Sequence, residues 1–425
     1  MPSIARPVVG AFALMTSLAL ARPPAARAVD NYPFPQHVTY AAGTIRPTVR
    51  TQAQQDDDVR AYYDQWKADY VVAAGPGQYR IKFARALPDS AVTVSEGQGF
   101  GMVVVPLMAG HDPAAQSLFD GLWAFARANP STIDPRLMGF RVPPEDPAGT
   151  DSAFDGDCDM AYGLLLADKQ WGSTGAVDYA AAAQALITAI RESTIGPDSH
   201  LPLLGDWTDP HGKRFNQYTP RSSDFMLDHF RAFGRATGDP TWGQVVGAVQ
   251  DVIDSLQARA AGVDRKLGLP TGLLPDFIRI PTTSLVPRPA GGKFLESRFD
   301  GAYYYNAVRD PWRLGTDALL SGDARTLAQV RAMATWIAAK TAGDPQAITA
   351  GYRLNGRSLP KSDYFSIVFA APFGVAAMTN ATQQPFLNEV YSAISATHED
   401  YYEDSVTLLG LLVMTGAYWD PTTTP

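Results

Sequence analysis

A single cysteine, Cys158, stands in 425 residues. No intramolecular disulfide framework can form, and one thiol cannot build a thiolate zinc site. Histidine is scarce as well: His37, His111, His200, His211, His229 and His398 are all there are, and no two have the H-E-x-x-H spacing of a helical metal site. No GxGxxG follows a strand pattern, and neither a Walker loop nor a GxSxG elbow is present, which removes the usual dinucleotide, nucleotide and serine-nucleophile signatures. Charged residues make up only 18% of the chain against 46% hydrophobic, a balance that excludes a disordered chain. The net charge of −8 argues against nucleic-acid binding, which needs clustered Lys and Arg for phosphate contacts. It is compatible with a neutral or cationic ligand. Beyond the amino terminus no run of 18 uninterrupted apolar residues occurs, so no membrane-spanning helix is expected. No metal and no cofactor are expected either.

The amino terminus reads as an address. Residues 1–28 carry Arg6, Arg22 and Arg27 and no acid, and an apolar run from Val8 to Ala21 leads to Ala26-Arg27-Ala28. A basic residue, a short apolar stretch and a small-x-small site make a secretory signal, and the stretch is too short to span a bilayer. Cleavage after Ala28, export, and a soluble secreted protein are the expectation.

The rest reads as helix after helix. Val59, Tyr62, Tyr63, Trp66 and Tyr70 have helical spacing in Asp56–Ala73. Ser95–Gly110 is apolar nearly all round and so is expected to be buried on every side, whereas Pro113–Ala128 gathers Phe119, Leu122, Trp123 and Phe125 on one side. Further helices are predicted over 155–171, 178–194, 221–238, 241–261, 301–322, 323–340, 361–378, 383–397 and 401–417. With short links such as Gly110-His111-Asp112 and Ser321-Gly322-Asp323, about twelve helices fall into pairs. Six hairpins can close as two concentric rings, apolar helices inside and amphipathic ones outside. The irregular stretches 129–152, 195–220 and 262–300, rich in Pro, Gly and aromatics, are expected to build a cleft at one end. No linker or composition shift marks a second domain, so residues 29–425 are read as one.

Three clusters carry candidate chemistry. In Ser95-Glu96-Gly97-Gln98-Gly99-Phe100-Gly101-Met102, Glu96 opens an apolar helix between glycines that allow close approach. A carboxyl near apolar walls has a raised pKa, which suits a general acid, although the position equally fits an acid favoured by the helix dipole. In Asp155-Gly156-Asp157-Cys158-Asp159, Asp155 and Asp159 share a helix face, while a calcium loop would need Gly where Met160 stands and Glu where Leu166 stands. In the third, Glu296-Ser297-Arg298-Phe299-Asp300 precedes Tyr303-Tyr304-Tyr305-Asn306-Ala307-Val308-Arg309-Asp310-Pro311-Trp312-Arg313: a loop carboxylate, flat aromatic surfaces and arginines, suited to sugar rings or equally to core packing.

These three blocks together resemble glycoside hydrolase family 8. Ser95–Met102 is similar to the family's SEGQGYGM block, Ala153–Tyr162 running on to Leu166–Gly172 to its A-[ST]-D-G-D-x-D-I-A-Y…LLLADKQWG signature, and Tyr303–Arg313 to its YYNACRxPWR block. The order is right and the likeness runs over nearly the whole chain after residue 28. It implies an all-α (α/α)6 barrel of six helical hairpins with long cleft-forming loops, and inverting hydrolysis of a polysaccharide by a monomer. It implies Glu96 as general acid and Asp155 as the aspartate that binds and distorts the sugar. The usual aspartate base is replaced here by Asn306, as in one branch of the family, and Glu296 sits where that branch carries a glutamate base. Inversion needs the two carboxyls roughly 6.5–9.5 Å apart, with water between them. Phe140, where the family usually has tryptophan, with Trp207, Tyr303 and Tyr305, are candidate stacking surfaces, and Asn306 and Arg309 candidate polar contacts. Phe154 replaces the Ser or Thr that usually precedes the aspartate. The expected substrate is β-1,4-linked β-glucan, with chitosan as the alternative. A catalytically inactive glycan-binding relative and an isoprenoid-cyclising helical barrel are the other classes considered.

Overall fold

The computed structural model describes residues 29–88, 92–143 and 149–423; the expected export segment 1–28 lies outside them. Twelve α-helices follow in order: α1 (Gln52–Tyr70), α2 (Ser95–Leu107), α3 (Ala115–Ala128), α4 (Phe154–Trp171), α5 (Tyr179–Thr194), α6 (Leu227–Thr237), α7 (Thr241–Gln257), α8 (Asp310–Ser321), α9 (Ala324–Lys340), α10 (Ile367–Ala377), α11 (Gln384–Ile394) and α12 (Tyr401–Thr415). The even-numbered helices form a closed ring: α2 packs on α4, α4 on α6, and so on through α12, which returns to α2. Each odd-numbered helix lies outside one of them. The fold is the (α/α)6 barrel.

The alternation follows from composition. Every residue of α10 is buried, and in α2 only Glu96 is not, so these helices have no polar face to offer water. The outer α3 buries Leu118, Phe119, Leu122, Phe125 and Ala126 at helical spacing, and α1 buries Val59, Tyr62, Tyr63, Trp66 and Tyr70 as its pattern predicts. Five pairs are hairpins. The sixth joins the two ends of the helical run, α1 packing on α12, with the Trp66 indole donating to Ser405 Oγ at 2.9 Å and Gln52 to the Thr415 carbonyl at 3.0 Å. At the tight α8–α9 link, Gly322 takes φ +67°, a conformation that costs a side-chain-bearing residue more. Asp323 then caps α9, accepting from the N–H of Arg325 and Thr326.

Three inner helices start later than their periodicity predicts: α6 at Leu227 rather than 221, α8 at Asp310 rather than 301, and α10 at Ile367 rather than 361. Buried side chains hold the preceding residues out of helical conformation. Asp276 accepts from the backbone N–H of Tyr304 and Ala307 at 2.9 and 2.8 Å, and Arg221 reaches Asp224 across a 3₁₀ turn at Ser222–Asp224. Helix α1 stops at Tyr70, short of the predicted 73, because Val71–Gly75 (β1) pairs with Gln78–Ile81 (β2), where a β-branched pair and glycine favour a hairpin. A second short ladder joins Thr93–Val94 (β3) to Arg141–Val142 (β4).

The inner helices begin at the same end of the barrel, and the long loops cover that end. Asp206 ties two of them, accepting from Ser131 Oγ at 2.5 Å and from the Ser152 N–H at 2.8 Å. A small apolar cluster of Leu204, Phe277, Ala290 and Phe294, with Trp207 and Phe215 against it, stiffens the wall so formed. Among the described residues no helix is long and apolar enough to cross a membrane.

Candidate active site

A cleft of about 520 Å³ opens among these loops, lined by Glu96, Phe140, Asp155, Trp207, Arg221, Glu296 and Asn306 among others. Glu96 lies in the first turn of α2 and Asp155 in the first turn of α4. Their closeness depends on Gly156: a Cβ there would stand 2.5 Å from the carbonyl carbon of Ser95, so any side chain would push the two helix starts apart. The backbone of the cleft wall is tied in at the same point, with the Ser95 N–H donating to the Phe140 carbonyl at 2.8 Å.

Arg309, immediately before α8, joins the carboxylates. Its Nη1 donates to Glu96 Oε2 at 2.5 Å and to Asp155 Oδ2 at 2.8 Å, and its Nη2 to Ser223 Oγ at 2.8 Å. Tyr401, the first residue of α12, donates its hydroxyl to Glu96 Oε1 at 3.1 Å. Side chains from the starts of α2, α4, α8 and α12 and from the turn before α6 therefore meet in one network around Glu96.

The two acids respond differently. Burial raises the Glu96 pKa to about 7; Asp155 adds to the rise, and the Arg309 guanidinium offsets only part of it. Burial pushes Asp155 upward too, but Arg221 and Arg309 together outweigh that and hold it down at about 2. Near neutral pH the site thus contains one carboxyl that can still carry a proton and one that is fully ionised.

Glu296 stands on the loop across the cleft with 45% of its side chain exposed. Asn306 Nδ2 donates to Glu296 Oε2 at 2.7 Å, and Arg221 Nη1 lies 3.8 Å from Oε1. The Asn306 carbonyl oxygen is fixed in turn, accepting from Arg221 Nη1 and Arg309 Nη2, each at 3.3 Å. An aspartate here would set a second negative charge against Glu296; the amide holds it by a hydrogen bond instead.

Two neighbouring carboxylates are committed elsewhere. Asp300 is fully buried and accepts from the backbone N–H groups of Leu295, Glu296 and Ser297 at 2.7, 3.1 and 2.6 Å. It shapes the loop that presents Glu296 and does not cap α8. Asp310 is buried, and desolvation pushes its pKa well above the ordinary carboxylate range.

Of the expected aromatic surfaces, Phe140 and Trp207 line the cleft, Phe140 being 38% exposed. Tyr303 does not: it is wholly buried, its ring packed against Phe369 and Phe373, and offers no face to a sugar. Tyr305 is half-buried, next in sequence to the cleft-lining Asn306, its hydroxyl 3.1 Å from that of Tyr364. Arg309, expected to meet substrate directly, has only 1% of its side chain exposed and acts on the carboxylates from beneath. Sequence reasoning missed Arg221, Ser223 and Tyr401. Their common signal is position: Tyr401 opens an inner helix as Glu96 and Asp155 do, and Arg221 and Ser223 lie at the 3₁₀ turn that leads into another.

The sequence profile of Glycosyl hydrolases family 8 matches residues 33–416. The chain belongs to that family. It is a glycoside hydrolase. Family 8 relatives include a beta-glucanase of Niallia circulans, 42% identical over 395 residues that cover 92% of both chains. An endoglucanase of Bacillus sp. strain KSM-330 is 39% identical over 93% of this chain and 83% of its own length. Among solved structures, the apo beta-1,3-1,4-glucanase from Paenibacillus sp. X4 superposes with a TM-score of 0.86 at 42% identity, covering 92% of this chain and all of that one. Rex8A from Paenibacillus barcinonensis, at 15% identity and a TM-score of 0.68, shares the fold.

Proposed function

We propose that this chain is a secreted, endo-acting, inverting hydrolase of β-1,4 bonds in β-glucan, with Glu96 as general acid and Glu296 as general base. The observation that carries the proposal is the contrast between a half-buried Glu96, its pKa raised by desolvation to about 7, and a more exposed Glu296 held by an amide on the same cleft. Glu96 protonates the leaving glycosidic oxygen, and the charge left behind is taken up by Arg309 and Tyr401, already in place at 2.5 and 3.1 Å. Glu296 takes a proton from a water attacking the opposite face, oriented by Asn306 and Arg221. Asp155, ionised throughout, accepts hydroxyl hydrogen bonds from the sugar at the cleavage point. Phe140 and Trp207 cover the apolar faces of neighbouring sugars.

The names of the similar proteins support β-glucan over chitosan. Residues 1–28 are proposed as the export signal and the remainder as one catalytic domain acting as a monomer. The test is reducing-sugar release from barley β-glucan, carboxymethylcellulose, chitosan and xylan side by side, with the anomeric form of the first product followed by NMR. Chitosan as the fastest substrate would overturn the substrate reading, and retention of configuration would overturn the assignment of Glu296 as base.

A further inference from the structure

A cavity of about 890 Å³, within the range of sites that enclose an organic ligand, shares no lining residue with the catalytic cleft. Arg265, Lys266, Lys340 and Arg357 line it. A second hollow of about 430 Å³ adds Arg298 and Arg353, and the two share Ala261 and Asn355 as walls, so they run together as one groove. Among the described residues Asp264 is the one acid in the lining. Lys340 Nζ at 3.4 Å, the Trp336 indole N–H at 3.3 Å and the Lys266 N–H at 3.0 Å engage it already.

The surplus of cations is local. On this acidic chain Arg136, Arg231, Arg313 and Arg325 each pair with a carboxylate. Arg265, Lys266, Arg298, Arg353 and Arg357 make no ion pair among the described residues, although the chain carries a net charge of −8. Several spaced cations fit a polymer carrying spaced negative groups better than a single small ion. The groove also adjoins the catalytic cleft through one loop: Leu295 and Glu296 line the cleft, whereas Gly292, Arg298, Phe299 and Gly301 line the groove. Among the described residues Phe299 is the one aromatic in its lining, already covered by Arg298 at 4.5 Å and Tyr304 at 5.0 Å, which leaves little surface for the base stacking that single-stranded nucleic acids need.

We propose that this groove is a second carbohydrate site, taking the carboxylates of an acidic polysaccharide (uronate- or carboxymethyl-bearing) whose neutral stretch lies in the catalytic cleft. The proposal rests on the hydrolase reading above for the nature of the polymer. The test is affinity electrophoresis of the full chain carrying Glu96→Gln, which prevents digestion, in gels holding carboxymethylcellulose, barley β-glucan or no polysaccharide. Mobility is referred to the polysaccharide-free gel, and Arg265→Glu with Arg357→Glu is compared with the parent. The double reversal should raise the dissociation constant for carboxymethylcellulose about tenfold or more and leave that for β-glucan unchanged. Salt at about 0.5 M, where screening reaches only a few Å, should erase the difference. Lys266→Glu with Arg353→Glu should repeat the effect should the first pair disturb folding by circular dichroism. Equal retardation of parent and both reversed proteins by carboxymethylcellulose overturns the proposal. So does a groove-dependent shift with single-stranded DNA and none with the acidic glycan. If the hydrolase reading itself is wrong, the native chain will release no sugar from β-glucan, while the electrophoresis still reads the groove.

Discussion

Asp155 and Asp159 stand one turn apart on α4, and Arg309 and Arg313 are separated by the same four residues at the start of α8, so two carboxylate–guanidinium rungs lie one behind the other. In the inner rung Arg313 meets Asp159 through two bonds of 2.8 and 2.6 Å, and His229 Nε2 adds a third contact at 2.9 Å. Both partners are buried, and burial of Asp159 is outweighed by Arg313 and His229, so its pKa is lowered. In the outer rung one guanidinium nitrogen serves two carboxyls, Asp155 and Glu96, and the rung opens on the cleft. Asp155 has Arg221 beside it as well as Arg309 and is held low, and Glu96 is left at about 7. The same residue types make a structural pair where charges are matched and a proton donor where one cation is shared. The difference lies in the number of cations per carboxyl and in access.

Replacing the under-compensated carboxyl should have the largest effect. Glu96→Gln keeps the shape of the side chain and removes the proton, so the rate on unactivated β-glucan should fall by about 10²–10⁴-fold. A variant keeping more than about a tenth of the parental rate would move the acid elsewhere. On the opposite side of the cleft, Glu296→Ala should lose roughly 10²-fold or more, with partial rescue by azide as a replacement nucleophile, and Asn306→Ala should lose less. Asp300→Ala is expected to lose activity as well, because three N–H groups of the Glu296 loop depend on it. Azide rescue therefore distinguishes the two: it should restore Glu296→Ala and not Asp300→Ala.

The inner rung should respond in stability. Arg313→Met leaves Asp159 buried with its guanidinium partner gone, and breaking such a pair costs about 3–5 kcal/mol. Denaturant unfolding should register this loss, with kcat of the folded fraction close to that of the parent. A smaller effect of opposite sign is expected at the outer rung. The Glu96 pKa is about 7 folded against 4.5 for the free side chain. Wild type therefore loses stability as pH rises from 4.5 to 7, because the folded state binds more protons there. Glu96→Gln has no such loss. Its Tm should exceed that of wild type by about 2–4 °C at pH 8, and the two should converge below pH 4.5. A Tm difference constant across that range would remove the electrostatic explanation.

The barrel was legible because inner and outer helices differ in composition: α2 and α10 are apolar on all sides and α3 on one. Helix starts were harder to read. Residues 301–309 continue an apolar pattern that would suit a helix, and only the distant Asp276 carboxylate, holding Tyr304 and Ala307, shows why they do not form one. Glu96, Asp155 and Asn306 could be picked out because each lies in a block resembling the family's own, and Glu296 because it sits in the preceding loop where one branch carries a glutamate; the structure gathers all four on one cleft. Tyr303 and Tyr305 read alike in sequence, yet one is core and the other half-buried, because neighbours in an irregular turn follow no fixed alternation. Bulk charge was a poor guide to the groove of unpaired arginines, since −8 over the whole chain says nothing about where the cations lie.

The pH dependence of kcat/KM on a neutral β-glucan tests most directly the claim that a shared guanidinium and burial keep Glu96 protonated. This ratio reports the free enzyme's essential acid and base. The account predicts an alkaline limb with its midpoint near pH 7, where Glu96 loses its proton. A rate that already falls through the ordinary carboxylate range, or one that stays level well into the alkaline range, would contradict it.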